Sequence, residues 1–135
     1  MPMATRFIAA VLSYAVLDGL WLGAFMSGFY RRELWSIART SGDALAPNWG
    51  AALLVYPLLA LGIAGFVVPR ADSVAAAAGW GAVFGLVVYG TYDLTNFSTL
   101  RGYSVQLAVV DMAWGMFASA AAAVVATTAE RWMRG

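Results

Sequence analysis

The chain has 135 residues, of which 62% are hydrophobic and only 11% charged, whereas soluble domains have roughly 45–50% apolar and about 25% charged residues. This composition indicates an integral membrane protein, and the net charge of +1 gives no reason to expect nucleic-acid binding. Because the chain has no His, Cys or Lys, the usual zinc, haem, iron–sulfur, thiol and Schiff-base sites are excluded. We expect no cofactor and no metal.

The first apolar run extends over about residues 7–28. It predicts a transmembrane helix rather than a signal peptide, because Asp18 lies within it and the run is too long for the hydrophobic region of a signal. A polar connector follows, from Phe29 to Pro47. Its apolar residues recur at i, i+4 and i+7, which predicts a short helix at the membrane interface, with a solvated loop as the alternative.

Three more apolar runs follow, each long enough to cross about 30 Å of hydrocarbon. They cover about residues 49–68, 74–97 and 103–128. Asn48 is the predicted N-cap of the second span, and Asp72 or Ser73 that of the third. The predicted fold is all-α. It is one integral membrane domain over residues 1–135, a four-transmembrane-helix bundle with a short interfacial helix between helices 1 and 2.

Four spans place both termini on one side of the membrane, but the arginines do not orient the bundle. The terminal side carries Arg6, Arg70, Arg131 and Arg134, and the opposite side carries Arg31, Arg32, Arg39 and Arg101. Four against four gives the positive-inside rule no bias. The same balance would also suit a dual-topology protein that forms antiparallel dimers.

Three of the spans carry an aspartate at the centre of one helix face, since positions i, i+4 and i+7 lie together. The faces are Tyr14–Asp18–Trp21, Tyr89–Asp93–Asn96 and Leu107–Asp111–Trp114. Counted from the connector side, the three aspartates fall within about 9 Å of depth in one half of the bilayer. Tyr56, beside Pro57, lies at a similar depth. We therefore expect one polar pocket, open toward the connector.

An ionisable group at membrane depth is costly and marks a functional site by default. Three carboxylates without a buried arginine should not all ionise together. We expect at least one to carry a proton at neutral pH, unless a cation binds or Arg31 or Arg101 reaches inward. The structural alternative is that Asp18 and Asp111 only hydrogen-bond indoles and tyrosine hydroxyls across helices.

Two motifs carry a family resemblance: Tyr89-Gly-Thr-Tyr-Asp-Leu-Thr-Asn-Phe-Ser-Thr-Leu-Arg101 and Val109-Val-Asp-Met-Ala-Trp-Gly115. They resemble the signature of a bacterial family of predicted four-helix membrane proteins of unknown function. Asp18-Gly-Leu-Trp21 and the pair Tyr56-Pro57 fit the same family. The resemblance spans nearly the whole chain. It implies a multi-pass protein of the bacterial inner (cytoplasmic) membrane and supplies no activity.

The leading functional hypothesis is a pocket that binds or transports a small cationic or amphipathic molecule with proton coupling. The candidate ligand-binding or proton-exchanging residues are Asp93, Asp18, Asp111, Asn96, Tyr89, Tyr92, Trp21, Trp114 and Tyr56. Membrane lipids and a small-molecule ligand are the expected partners. Because four helices are few for a carrier, a homodimer is expected as well.

Two other functions stay open. A membrane-embedded enzyme could use the aspartates for acid–base work or for a divalent metal, on a lipid or isoprenoid substrate. The missing His, Cys and Lys favour a non-enzymatic role, and no residue is assigned as catalytic. The third possibility is an accessory or scaffold protein, which needs no pocket at all.

Overall fold

In a computed structural model, which describes residues 2–135, the chain forms five α-helices and one two-stranded hairpin. The elements in chain order are α1 (Pro2–Leu20), continued by a π-helical turn (Trp21–Phe25); α2 (Ser27–Leu34); β1 (Thr40–Ser41) and β2 (Ala44–Leu45); α3 (Trp49–Gly62), continued by a π-helical turn (Ile63–Val67) and a 3₁₀ turn (Val68–Arg70); α4 (Val74–Thr99); and α5 (Val105–Arg134).

Four helical segments are long and apolar enough to cross a membrane, which confirms the predicted four-span, all-α architecture. They are Pro2–Phe25, Trp49–Arg70, Val74–Thr99 and Val105–Arg134. Large apolar side chains cover the outside of the bundle; Leu53 and Leu58 are 63% and 68% exposed. Several polar side chains, including Asp93 and Ser119, are instead fully buried. Apolar side chains outside and polar side chains inside are typical of a helix bundle that is surrounded by lipid.

The connector and the helix starts follow the local sequence signals. The side chain of Asn48 accepts a hydrogen bond from the amide of Ala51, and that of Ser73 accepts one from the amide of Ala76, so the predicted caps of α3 and α4 are confirmed. The fourth span begins later than expected, because Ser104 is its N-cap. In the connector, α2 is followed by β1 and β2, whose turn holds Gly42 at φ +60°.

The closest helix packing joins α4 to α5. A Cβ built on Gly81 would lie 2.6 Å from the carbonyl oxygen of Ser119, and one on Gly85 would lie 2.2 Å from that of Gly115. Only glycine allows backbones this near, and such close approach is a main source of helix association in lipid. The α4–α5 pair forms a tight unit, against which α1 packs through α5.

The remaining span, α3, does not close the bundle along its full length. Its α-helical part packs mainly on α1, while its π-helical turn contacts α1, α4 and α5. Near this turn a Cβ on Gly62 would collide with the ring of Phe84 on α4. Toward the connector, α3 and α4 separate, and the gap between them shapes the site described below.

An ion-pair cluster ties the opposite end of the bundle together. The guanidinium of Arg6 on α1 binds both carboxylate oxygens of Glu130 on α5, at 2.7 and 2.9 Å. Arg134 binds the same carboxylate at 2.6 Å. Glu130 is only 6% exposed, so this end is held by a partly buried charge pair rather than by apolar contacts alone.

Candidate functional site

Asp18 lies on α1 and points toward α5. It is 9% exposed and accepts a hydrogen bond from the indole Nε1 of Trp114, at 2.8 Å. Tyr56 on α3 lies near this carboxylate, and both residues line the same cavity. Three spans therefore meet at one acid, and both of its partners are uncharged.

Asp111 lies on α5 and is half-buried. Its Oδ1 accepts a hydrogen bond from the hydroxyl of Tyr30 at 2.8 Å, and that hydroxyl accepts one from Nε1 of Trp21 at 3.0 Å. Tyr30 belongs to α2, so the connector helix folds back over the acid. Two successive hydrogen bonds therefore connect Trp21 through Tyr30 to Asp111, and both donors are uncharged.

Asp93 is the most deeply enclosed of the three acids, with 0% exposure. Its Oδ1 accepts a hydrogen bond from the hydroxyl of Tyr103 at 2.5 Å, while its Oδ2 is buried with no hydrogen-bond donor. The carboxyl of Asp111 is the neighbouring acid. Two carboxylates accept only, so they can hydrogen-bond each other when one is protonated. A single proton shared between the two carboxyls would give Oδ2 of Asp93 a hydrogen-bond partner.

The two tyrosines that bind these acids lie outside the membrane-spanning helices. Burial raises the pKa of the Tyr30 hydroxyl, and the neighbouring Asp111 carboxylate raises it further. Burial likewise raises the pKa of the Tyr103 hydroxyl, with Asp93 adding to the effect. Both phenols therefore stay protonated over the physiological pH range and serve as hydrogen-bond donors.

Tyr92 and Asn96 lie on the outer side of the Asp93–Tyr103 contact. Both side chains lie near the hydroxyl of Tyr103. Tyr92 is 56% exposed, so the buried acid has a neighbour at the surface of α4.

A cavity of about 380 Å³ lies between the four spans. Its lining residues are Asp18, Leu22, Ala52, Val55, Tyr56, Leu59, Val88, Tyr89, Tyr92, Asp111 and Trp114. Of the nine predicted site residues, six line this cavity. The other three stand behind it: Asp93 against Asp111, Trp21 against Trp114, and Asn96 beside Tyr103.

The cavity has an exposed side between two of the spans. None of its lining residues belongs to the connector. The walls formed by Val55 and Tyr92 are 48% and 56% exposed and belong to α3 and α4. The gap between these two helices is therefore one open side of the cavity, and an opening toward the connector stays a prediction.

The charges around the three acids are sparse. In the described part of the chain, the ion pairs are those of Glu130, and none involves Asp18, Asp93 or Asp111. Arg31, a candidate to reach inward, donates instead to the backbone carbonyl of Asp43 in the hairpin. Within residues 2–135, no three Asp or Glu side chains converge in the manner of a metal site.

Sequence reasoning missed Tyr30 and Tyr103 as members of the network. The apolar spacing of the connector starts at Tyr30 and predicts only the apolar face of an interfacial helix, and Tyr103 is merely the first residue of the fourth apolar run. A usable signal was present, since each tyrosine lies next to the end of a span that carries an acid. The apolar wall of Leu22, Val55 and Val88 gave no such signal.

Comparison with known proteins adds a family and nothing more specific. No curated protein and no solved structure matches the chain. The family described as "Predicted membrane protein (DUF2177)" matches residues 3–128, which confirms the resemblance to a family of predicted membrane proteins. With its four apolar helices, this is a multi-pass membrane protein, and the chain belongs to the DUF2177 family.

Proposed function

We propose that the protein binds a small cationic, amphipathic molecule in the cavity between its spans and exchanges it for a proton, as a carrier in the bacterial inner membrane. The observation that carries the proposal is the pair Asp18 and Asp111. Both carboxyls line an otherwise apolar and aromatic cavity, and neither forms an ion pair with any arginine among residues 2–135.

The hydrogen bonds to these acids leave their charge uncompensated. Asp18 accepts from an indole N–H and Asp111 from a phenol O–H. Neutral donors favour the ionised form of a carboxylate without cancelling its charge. A cation placed in the cavity would supply that charge. The aromatic residues Trp114, Tyr56 and Tyr89 also line the cavity, and aromatic rings attract cations.

In this proposal the proton binds between Asp111 and Asp93, at one side of the cavity that holds the cation. Asp111 touches both the cavity and Asp93, whereas Asp93 lies behind it and does not line the cavity. A cation at Asp111 and a proton between Asp111 and Asp93 compete for the same negative charge. Binding of one therefore favours release of the other, which is the coupling that an exchanger requires.

A homodimer remains a prediction, and α1 offers a place to test it. Gly19 and Gly23 lie four residues apart, and a Cβ on either would meet no atom within 4 Å. Small residues at this spacing allow helices to approach closely in lipid. Cross-linking of a Gly23→Cys variant in native membranes tests this arrangement directly, with Leu58→Cys on α3 as the matched exposed control.

The proposed function is tested in proteoliposomes that contain a pH-sensitive dye, with butyltrimethylammonium as the probe. A quaternary cation carries no proton of its own, so it cannot change the internal pH by crossing the bilayer as a neutral amine. We expect an inward gradient of the probe to raise the internal pH. Asp93→Asn should abolish the pH change and Asp18→Asn should abolish probe binding, while Asp72→Asn, outside the cavity, should behave as wild type. Wild-type protein that gives no more signal than Asp93→Asn would refute proton exchange.

A further inference from the structure

We propose that the ligand is a lipophilic cation with a single aliphatic chain, whose charged head lies at Asp18 and Asp111 and whose chain lies in the groove between α3 and α4. This inference rests on the proposed function and names the class of substrate for the same site.

The groove is apolar and reaches the outer surface of the bundle. Its walls are Ala52, Val55 and Leu59 on α3 and Val88 on α4, with Leu22 of α1 beside them. Val55 is 48% exposed and Leu22 is 41% exposed. In a four-span bundle that outer surface faces lipid, so the groove connects the acids with the hydrocarbon of the bilayer rather than with water.

The acid and the exposed apolar side chains lie at different depths in the groove. Asp18 is 9% exposed, whereas Leu22 and Val55 are 41% and 48% exposed, so the order from inside to outside is carboxyl first and apolar surface last. A ligand with a cation at one end and an aliphatic chain at the other matches this order. A fully hydrophilic cation would leave the apolar wall without a partner, and a neutral acyl chain would leave the carboxylates without one.

The size of the groove sets the number of chains. Ala52 and Leu59 are seven residues apart, which corresponds to about 10 Å along a helix. The volume of about 380 Å³ lies near the lower end of the roughly 300–1,000 Å³ of small-molecule sites. One short chain with its head group fits this space, and a phospholipid with two chains does not.

The inference is tested by binding of an alkyltrimethylammonium series, from methyl to octyl, to the protein in nanodiscs, measured as the saturable part above empty nanodiscs. Burial of each methylene should raise the affinity about fourfold, until the chain outgrows the groove. Ala52→Phe, which fills the groove, should abolish this gain while tetramethylammonium still binds. Leu53→Phe, on the 63% exposed face of α3, is the matched control and should keep the gain.

A second measurement needs no substitution in the groove. An octyltrimethylammonium probe with a photoreactive group at the end of its chain should label Val55 or Val88 and leave Leu53 unlabelled. Octanol should not compete, because it lacks the charge. Affinity that is independent of chain length, or equal competition by octanol, would overturn the inference. The two proposals fail separately: a charge-dependent site without chain dependence keeps the proposed function, whereas binding unchanged in Asp18→Asn removes both.

Discussion

The indole rings of Trp21 and Trp114 stack face to face, 4.3 Å apart and 4° from parallel, yet their N–H groups serve different acids. Trp114 donates to Asp18, and Trp21 donates to Tyr30, which in turn donates to Asp111. The stacked pair thus fixes the positions of two carboxyls on two helices at once. Displacement of either ring would disturb both acids.

We predict that the indole N–H of Trp114 stabilises the folded bundle, and a Trp114→Phe substitution tests this. The variant keeps an aromatic ring against Trp21 but removes the donor to Asp18. We expect a loss of about 1–2 kcal/mol in the free energy of unfolding, above the roughly 0.6 kcal/mol average for membrane hydrogen bonds, because a buried carboxylate loses a partner. Unfolding by SDS in mixed micelles measures it. Trp132→Phe, at a site 80% exposed, is the control, and equal effects of the two substitutions would contradict the prediction.

The side chains of Tyr103 and Asp93 are predicted to be coupled in their contributions to the free energy of unfolding. Tyr103→Phe removes the donor to Oδ1 of Asp93, whose Oδ2 already has no donor, so we expect a loss of about 1–3 kcal/mol. In an Asp93→Leu background the same change should cost at least ~1 kcal/mol less. A double-mutant cycle in mixed micelles measures the difference. Additivity within about 0.5 kcal/mol would show that the two side chains act independently.

Cation binding is predicted to weaken as the pH falls. A proton and the cation compete for the charge shared by Asp93 and Asp111. Release of one proton on binding makes the affinity fall up to tenfold for each unit by which the pH is lowered, as long as the free protein holds that proton. The dissociation constant of butyltrimethylammonium, measured from pH 5 to pH 9, gives the slope. Asp93→Asn should flatten it, and an unchanged slope in that variant would exclude Asp93 as the proton site.

Much of the architecture could be predicted because it depends on local patterns. Four apolar runs of sufficient length gave the spans, and side-chain capping by Asn48 and Ser73 gave their starts. Helical periodicity also placed Asp18, Asp93 and Asp111 on faces that turn inward. These features need no knowledge of how one helix lies against another.

The features that could not be predicted depend on contacts between segments that are distant in the sequence. Periodicity does not say that α3 and α4 separate, so it could not show that the cavity has an exposed side between these two helices. It also could not assign Asp93 to a position behind Asp111, because that depends on the register of α4 against α5, set by contacts at Gly81 and Gly85. The bond from Tyr30 requires α2 to fold back over the bundle, which its own sequence does not specify.

The ion pair at the terminal end is predicted to stabilise the bundle. Arg6→Met leaves Glu130, 6% exposed, with Arg134 alone. We expect a loss of about 2–3 kcal/mol, below the roughly 3–5 kcal/mol for a fully buried pair, because the Arg6 side chain is 18% exposed. Arg134→Ala, on a side chain 65% exposed, should cost less than about 0.5 kcal/mol. Unfolding of the two variants at the same SDS fraction would show that the Arg6–Glu130 ion pair stabilises the bundle no more than the exposed Arg134–Glu130 pair does.

The close approach of α4 and α5 predicts opposite outcomes for two glycines on one helix. At Gly85 a new Cβ would lie 2.2 Å from the carbonyl oxygen of Gly115, a backbone atom that only moves with its helix. Gly85→Ala should therefore cost about 1–3 kcal/mol or more by overpacking. It should also move Asp93 away from Asp111 and reduce proton exchange.

Gly79 is the control on the same helix. A Cβ there would meet nothing within 4 Å, and Gly79→Ala should be neutral or stabilising by up to about 1 kcal/mol, since alanine favours the helix. Unfolding in mixed micelles and dye-reported proton exchange measure both variants. Equal tolerance of the two alanines would mean that α4 and α5 lie farther apart in the membrane, and that the register bringing the two acids together is set elsewhere.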